Sequence, residues 1–119
     1  MIDRLVEVLG KTTVTSFQIR ADNVFCENGE FREPGLIENI AQTAAAGVGS
    51  KPGNIGGEPP LGYIGGLRNL KIHGFPRIGQ EVITTVTVEH EVFNATVVQG
   101  NICLNGRLIA ECELKIFLI

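Results

Sequence analysis

The 119-residue chain predicts an α+β fold, a curved antiparallel sheet wrapped around one central helix. Three observations lead there. Only residues 33–48 carry a helical apolar period, the rest reads as β-branched strands broken by Gly, Asn and Pro turns, and the final strand alternates apolar with polar residues. Such alternation belongs to a sheet with one packed face and one wet face. Strands, then a helix, then strands joined by tight turns place that helix on one side of an antiparallel sheet.

Leu5-Val6-Glu7-Val8-Leu9 reads as a short strand, Gly10-Lys11 as a turn, and residues 12–20, rich in Thr and Val, as a second strand, so the pair predicts a hairpin. Residues 21–32 are polar and turn-like, with Asp22-Asn23 and Asn28-Gly29 as turn signals. The helix follows. Pro34 suits its first position, where a missing N–H lacks an intrahelical partner anyway, and the run closes at Gly47, Gly49 and Ser50. Leu36, Ile40, Ala44 and Val48 fall four apart, flanked by Ile37, Ala41 and Ala45, giving a broad apolar face whose alanines let strands come close.

Prolines and glycines keep residues 51–60 out of regular structure. The loop follows a helix and lacks Gly-Lys-Ser/Thr, so it is not a phosphate-binding loop. Residues 61–74 read as a strand in which Gly62, Gly65 and Gly66 mark a bulge or a close approach by the helix or a ligand. A Pro-containing turn over 75–80 leads to strand 81–91, with Val82, Val86 and Val88 on one face. Strand 92–104 ends at Asn105-Gly106, the strongest hairpin signal in the chain. In the last strand Leu108, Ala110, Cys112, Leu114, Ile116 and Leu118 face one way, and Arg107, Glu111, Glu113 and Lys115 the other.

Composition narrows the function classes. With 44% hydrophobic and 19% charged residues, residues 1–119 make one globular domain without repeats. A net charge of −3 and a pI of 5.3 remove the electrostatic case for nucleic acid. Asp3 and Arg4 interrupt the first apolar residues and no later apolar run is long enough for a bilayer, so the expectation is a cytoplasmic protein with no membrane span. Cys26, Cys103 and Cys112 show no C-x-x-C spacing, and His73 and His90 are isolated, so neither disulfide nor metal is expected. Asn94-Ala95-Thr96 matches a glycosylation sequon that a chain without a secretory signal would not present.

One helix residue stands out. Glu38 lies one turn into an apolar helix, and Gln42, four residues on, projects from the same side, where its amide can hold a carboxylate. Taken alone, such a Glu reads as a partly exposed structural group, because burying an unpaired carboxylate is costly.

Met1-Ile2-Asp3-Arg4-Leu5, the helix segment Pro34-Gly35-Leu36-Ile37-Glu38-Asn39-Ile40-Ala41-Gln42, and Asn69-Leu70-Lys71-Ile72 with Pro76-Arg77-Ile78-Gly79-Gln80 carry a resemblance over nearly the whole chain. The chain resembles hot-dog 3-hydroxyacyl-acyl-carrier-protein dehydratases, most closely a divergent dehydratase-like branch associated with aryl polyene lipid clusters. That resemblance implies a hot-dog fold and a β-hydroxyacyl thioester carried on phosphopantetheine, with no cofactor of the protein's own and a tunnel between two subunits. It puts Glu38 on the family's catalytic acidic position, with Gly35 and Leu36 near the helix N-terminus polarising the thioester carbonyl and Gln42, Gly65 and Gly66 as further substrate-binding candidates.

The chain also departs from that pattern. Elimination needs a base for the α-proton and an acid for the leaving hydroxyl, and the family supplies a His in a Gly-His-Phe segment before the helix. Here the segment is Gly29-Glu30-Phe31, so Glu30 occupies the His slot and becomes the second catalytic candidate. Three readings follow from the resemblance: a dehydratase of fatty-acid or polyene lipid biosynthesis acting on acyl carrier protein or coenzyme A thioesters, a thioesterase of the same fold, and a non-catalytic acyl-binding subunit that pairs with a His-containing paralogue. A free sheet edge and a half-built tunnel lead to the expectation of at least a homodimer. Arg68, Lys71 and Arg77 are the cations available to an acidic carrier protein or, equally, a solvated face.

Overall fold

The computed structural model describes residues 2–49, 62–92 and 95–118. The glycine-rich loop 51–60, the sequon residue Asn94, and the side chains of Val48 and Leu118 expected on apolar faces lie outside the described residues. In chain order the elements are β1 (Arg4–Leu9), β2 (Thr12–Gln18), β3 (Cys26–Glu27), β4 (Glu30–Phe31), α1 (Glu33–Gly49), β5 (Gly62–Ile72), β6 (Glu81–Val92), β7 (Ala95–Leu104) and β8 (Arg107–Leu118). Six strands form one antiparallel sheet in the order β1-β2-β6-β7-β8-β5, and α1 lies across β2, β6, β7 and β8. This is the expected helix on an antiparallel sheet.

Turn chemistry sets the registers. Asn105 and Gly106 both take positive φ (51° and 79°), as a two-residue type I′ hairpin requires, and lock β7 to β8 with Leu104 opposite Arg107. Asn28 and Gly29 do the same (54° and 81°) and convert a segment that reads as turns alone into the β3–β4 ribbon. The ribbon is stitched to the Pro-containing turn by the Phe31 N–H, which donates to Pro76 O at 2.9 Å, and the Ile78 N–H, which donates to Gly29 O at 3.1 Å.

The strand expected over 12–20 ends at Gln18, although Ile19 stays buried and donates its N–H to Gln80 O. The clean alternation expected along the last strand holds from Ala110 to Ile116 and fails before it. Register jumps from Ile102↔Ala110 to Cys103↔Leu108, leaving Ile109 as an extra residue on β8. That bulge reverses the inward phase, so Ile109 is buried at 2% exposure and Leu108 is only half-buried.

The core gathers on the helix side of the sheet. Leu36 and Ile40 of α1 pack with Phe17, Phe31, Val82, Val86, Val98, Ile102, Cys112 and Leu114. Two glycines let the helix lie close. A Cβ on Gly100 of β7 would collide with Ile40 Cγ2 and stand 3.0 Å from its Cγ1, and one on Gly47 would collide with Thr13 Oγ1. The helix thus crosses the sheet from β7 at Ile40 to β2 at Gly47.

Between those points the interface is polar. Asn39 and Thr43 are fully buried, as are Thr15 of β2 and Thr84 of β6. Thr84 Oγ1 donates to Asn39 Oδ1 at 2.5 Å, Thr43 Oγ1 donates to Asn39 O at 2.8 Å, and the Thr15 and Thr43 hydroxyls meet at 2.7 Å. Among the described residues no buried side-chain nitrogen or oxygen lacks a partner.

Candidate active site on the helix

The start of α1 is built from the β3–β4 ribbon. Phe31, with none of its surface exposed, lies under the first turn, where a Cβ on Gly35 would sit 2.5 Å from Phe31 Cζ and 2.8 Å from Phe25 Cβ. Any larger residue at position 35 would lift the helix start off the ribbon. The Gly35 and Leu36 N–H groups both donate to Arg32 O, at 3.0 and 3.2 Å, and the Leu36 side chain belongs to the core. In this structure the two expected carbonyl-polarising groups therefore have an acceptor of their own.

Glu38 is half-buried, and Gln42 Nε2 donates to its Oε1 at 3.1 Å. The side-chain pair expected from the four-residue spacing is formed. Glu30 has a different partner. Arg32 reaches its Oε1 through one guanidinium nitrogen at 3.0 Å, binds Glu33 Oε1 through Nε at 3.1 Å, and lays its guanidinium 3.9 Å from the centre of the Phe75 ring. Sequence reasoning does not single out Arg32; its flanking acids are the one signal for it. Glu30 and Glu38 consequently answer to different partners.

Gly65 and Gly66 sit on β5, at the sheet edge beyond β8. Gly65 is the extra residue of a bulge between Ile64 and Gly66, and a Cβ there would run into the Phe117 ring, so its role within this chain is to admit that ring. His73 follows β5 and His90 lies on β6, both exposed. His90 is six residues along β6 from Thr84, which touches the helix at Asn39, and six strand residues span about 20 Å.

An open cleft of about 560 Å³ runs between Val24, Cys26, Arg32 and Pro34 at the helix start, and Glu38 is not among its lining residues. Burial pushes the Cys26 thiol up, and it pushes Cys112, inside the sheet core, up to about 11. Neither is poised as a thiolate nucleophile. Among the described residues no group of three His, Cys, Asp or Glu side chains is placed to hold a metal ion, and no helix is long and apolar enough to cross a membrane.

Comparison with known families decides the relationship, because a model of the ApeP-like family, described as ApeP dehydratase, matches residues 1–118. The chain belongs to the ApeP-like dehydratase family. Among solved structures it resembles the dehydratase heterocomplex ApeI:P from Xenorhabdus doucetiae with a TM-score of 0.83 at 16% identity, covering 99% of this chain and 82% of that one. It also resembles a hypothetical thioesterase with coenzyme A from Streptococcus pneumoniae (TM-score 0.73, 10% identity, 98% and 84% covered). The PaaI protein from the phenylacetic acid degradation operon of E. coli gives a TM-score of 0.73 at 11% identity, with 98% and 78% covered. Identities this low show a shared fold, and the fold is the hot-dog. No match was found among curated protein sequences.

Proposed function

We propose that this ApeP-like chain is a dehydratase-type subunit acting on 3-hydroxyacyl thioesters of acyl carrier protein or coenzyme A, in the cytoplasm, with Glu38 as its proton-transfer residue. The reaction removes a proton from Cα and the hydroxyl from Cβ, giving a 2-enoyl thioester and water. Glu38, in its acid form, delivers the proton that lets the hydroxyl leave as water; hydration is the reverse. Gln42 orients the carboxyl through the 3.1 Å bond, the observation that carries this reading.

The base for the α-proton comes from a second chain. Glu30 is bound by Arg32 at 3.0 Å, and that commitment favours a site completed by a His-containing paralogue over a self-sufficient pair of carboxylates. The heterocomplex named for the Xenorhabdus structure supports this arrangement, which we place ahead of a homodimer.

The test supplies crotonyl and 3-hydroxyacyl thioesters to the purified chain alone and co-expressed with a His-containing hot-dog paralogue, in wild type and Glu38→Gln. Reversible hydration that is lost in Glu38→Gln is the expected result. Release of free thiol would instead assign a thioesterase, and acyl binding without either reaction would assign a non-catalytic subunit.

A further inference from the structure

We propose that Asn39 and Thr43 are positioning residues that fix the rotation of α1, and through it the direction of Glu38, by a two-point clamp onto Thr84 and Thr15; the catalytic part of this rests on the Glu38 reading above. The clamp follows from register. Thr15 and Thr84 are directly opposed on β2 and β6, so their side chains leave the same face of the sheet. Opposed strand residues stand about 5 Å apart at Cβ, and residues four apart on a helix stand about 5–6 Å apart, so one pair matches the other. Asn39 meets Thr84 and Thr43 meets Thr15.

Each hydroxyl has one proton, which fixes the direction of the chain of bonds. The Thr43 proton goes to Asn39 O, so Thr15 must donate to Thr43, while Thr84 donates to the Asn39 side chain. All four side chains are buried. Apart from Gly35 and Gly47, the other buried described residues of the helix are Leu36 and Ile40, with Ile37, Ala41 and Ala44 half-buried against the core, and apolar burial of this kind carries no direction. Directional bonds at two points supply what that face lacks.

Glu38 and Gln42 are the neighbours of Asn39 and Thr43 one residue earlier, so the second polar pair is turned about 100° around the helix from the first. The two pairs move as one body. A carboxylate ~6 Å from the helix axis shifts by ~1 Å for a rotation of ~10°, and misplacement by ~1 Å costs on the order of 10²-fold in rate. A small loss of clamp geometry is therefore large at Glu38.

Thr84→Val keeps the shape of the side chain and removes the donor; Thr84→Ser keeps the donor. Two readouts are taken in the full chain: the nuclear Overhauser contacts of the Ile40 methyls with Gly100, which report the rotation of α1 on the sheet, and thioester hydration in the assembly that shows it. In Thr84→Val the Ile40–Gly100 contacts are expected to change in intensity, and kcat to fall by ~10- to 100-fold with KM little changed. Thr84→Ser restores both. A Thr84→Val protein that is merely less stable, with wild-type Ile40–Gly100 contacts and wild-type kcat per folded molecule, overturns the clamp. If Thr84→Val does not fold, Thr15→Val, which leaves the Asn39–Thr84 bond in place, is judged by the same two readouts. A wild type that hydrates no thioester refutes the functional reading, and the Ile40–Gly100 contacts still decide the clamp.

Discussion

Gly100→Ala puts one methyl group where helix and sheet come closest. Gly100 is opposite Val86 on one side and Cys112 on the other, both essentially without exposure, and the added Cβ would meet Cγ2, Cγ1 and Cδ1 of Ile40. Two of these atoms lie at 3.0 and 3.1 Å and the third closer still, against a comfortable carbon–carbon separation of about 3.5–4.0 Å. Since the strands on both sides are paired, the helix has to yield, and Asn39, next to Ile40, takes its bond to Thr84 with it. Overpacking of this kind costs ~1–3 kcal/mol, and the reduced freedom of the unfolded chain returns ~0.4–1 kcal/mol. A net loss of ~1–2 kcal/mol lowers the urea midpoint by roughly 1 M at a typical slope, measured at fixed protein concentration. Ile40→Ala removes all three clashing atoms but leaves a cavity that costs ~2–5 kcal/mol. The methyl added by Gly100→Ala partly refills that cavity, so the double variant is expected to be more stable than the sum of the singles by ~1 kcal/mol or more. A Gly100→Ala protein as stable as wild type, or strictly additive singles, would refute the close-contact account.

Glu30→Gln leaves Arg32 an acceptor, so thioester hydration is expected to be unchanged, whereas Glu38→Gln is expected to lower it by ~10²-fold or more; equal losses in the two variants would return Glu30 to the chemistry. Cys112 holds its proton in the fold to about 11 while an unfolded thiol loses it near ~8.5. The folded state then binds more protons in that window, so stability is flat below it and falls as pH rises, by up to ~1.4 kcal/mol per pH unit. Urea titrations of Cys112→Ala should show a shallower alkaline decline, and an unchanged one would sink the assignment. Asn105 carries φ +51°, so Asn105→Ala is expected to cost ~1–2 kcal/mol and Asn105→Gly little or nothing, read as the order of thermal midpoints.

Local chemistry made much of this fold legible. Asn105-Gly106 dictated its own hairpin, the helix formed where its apolar period put it with Leu36 and Ile40 in the core, and the Pro-containing turn lay where its residues put it. What stays hidden depends on register. The Ile109 bulge reverses the phase of β8 without altering its composition, and the β3–β4 ribbon forms because residues 76–78 stand ready to receive it. The site divided in the same way. The Glu38–Gln42 bond is an i,i+4 relation contained within one helix, while Thr15 faces Thr84 only through the pairing of two strands 69 positions apart in sequence, and no local pattern announces that. Asn39, a polar residue facing the core of an apolar helix, was the available signal.

Among the described residues the sheet ends in two unpaired edge strands, β1 and β5, which differ in a way that bears on the proposed assembly. β1 is six residues long, carries Arg4 and Glu7, and is broken by a bulge between Leu5 and Glu7, all devices that discourage another strand from adding to an edge. β5 is eleven residues long and has two adjacent glycines at its first bulge. Ile64 and Leu67 of β5 are opposite Ile116 and Leu114, so they face the helix side, yet they remain 37% and 41% exposed while their partners are buried. Apolar side chains on the core side of a long edge strand are stable there only if something extends the core over them. A second subunit joined at β5 would do that and would place Gly65 and Gly66, which lie far across the sheet from β2, at the seam between chains. Within one chain the contacts of those glycines are with Phe117 and Lys115.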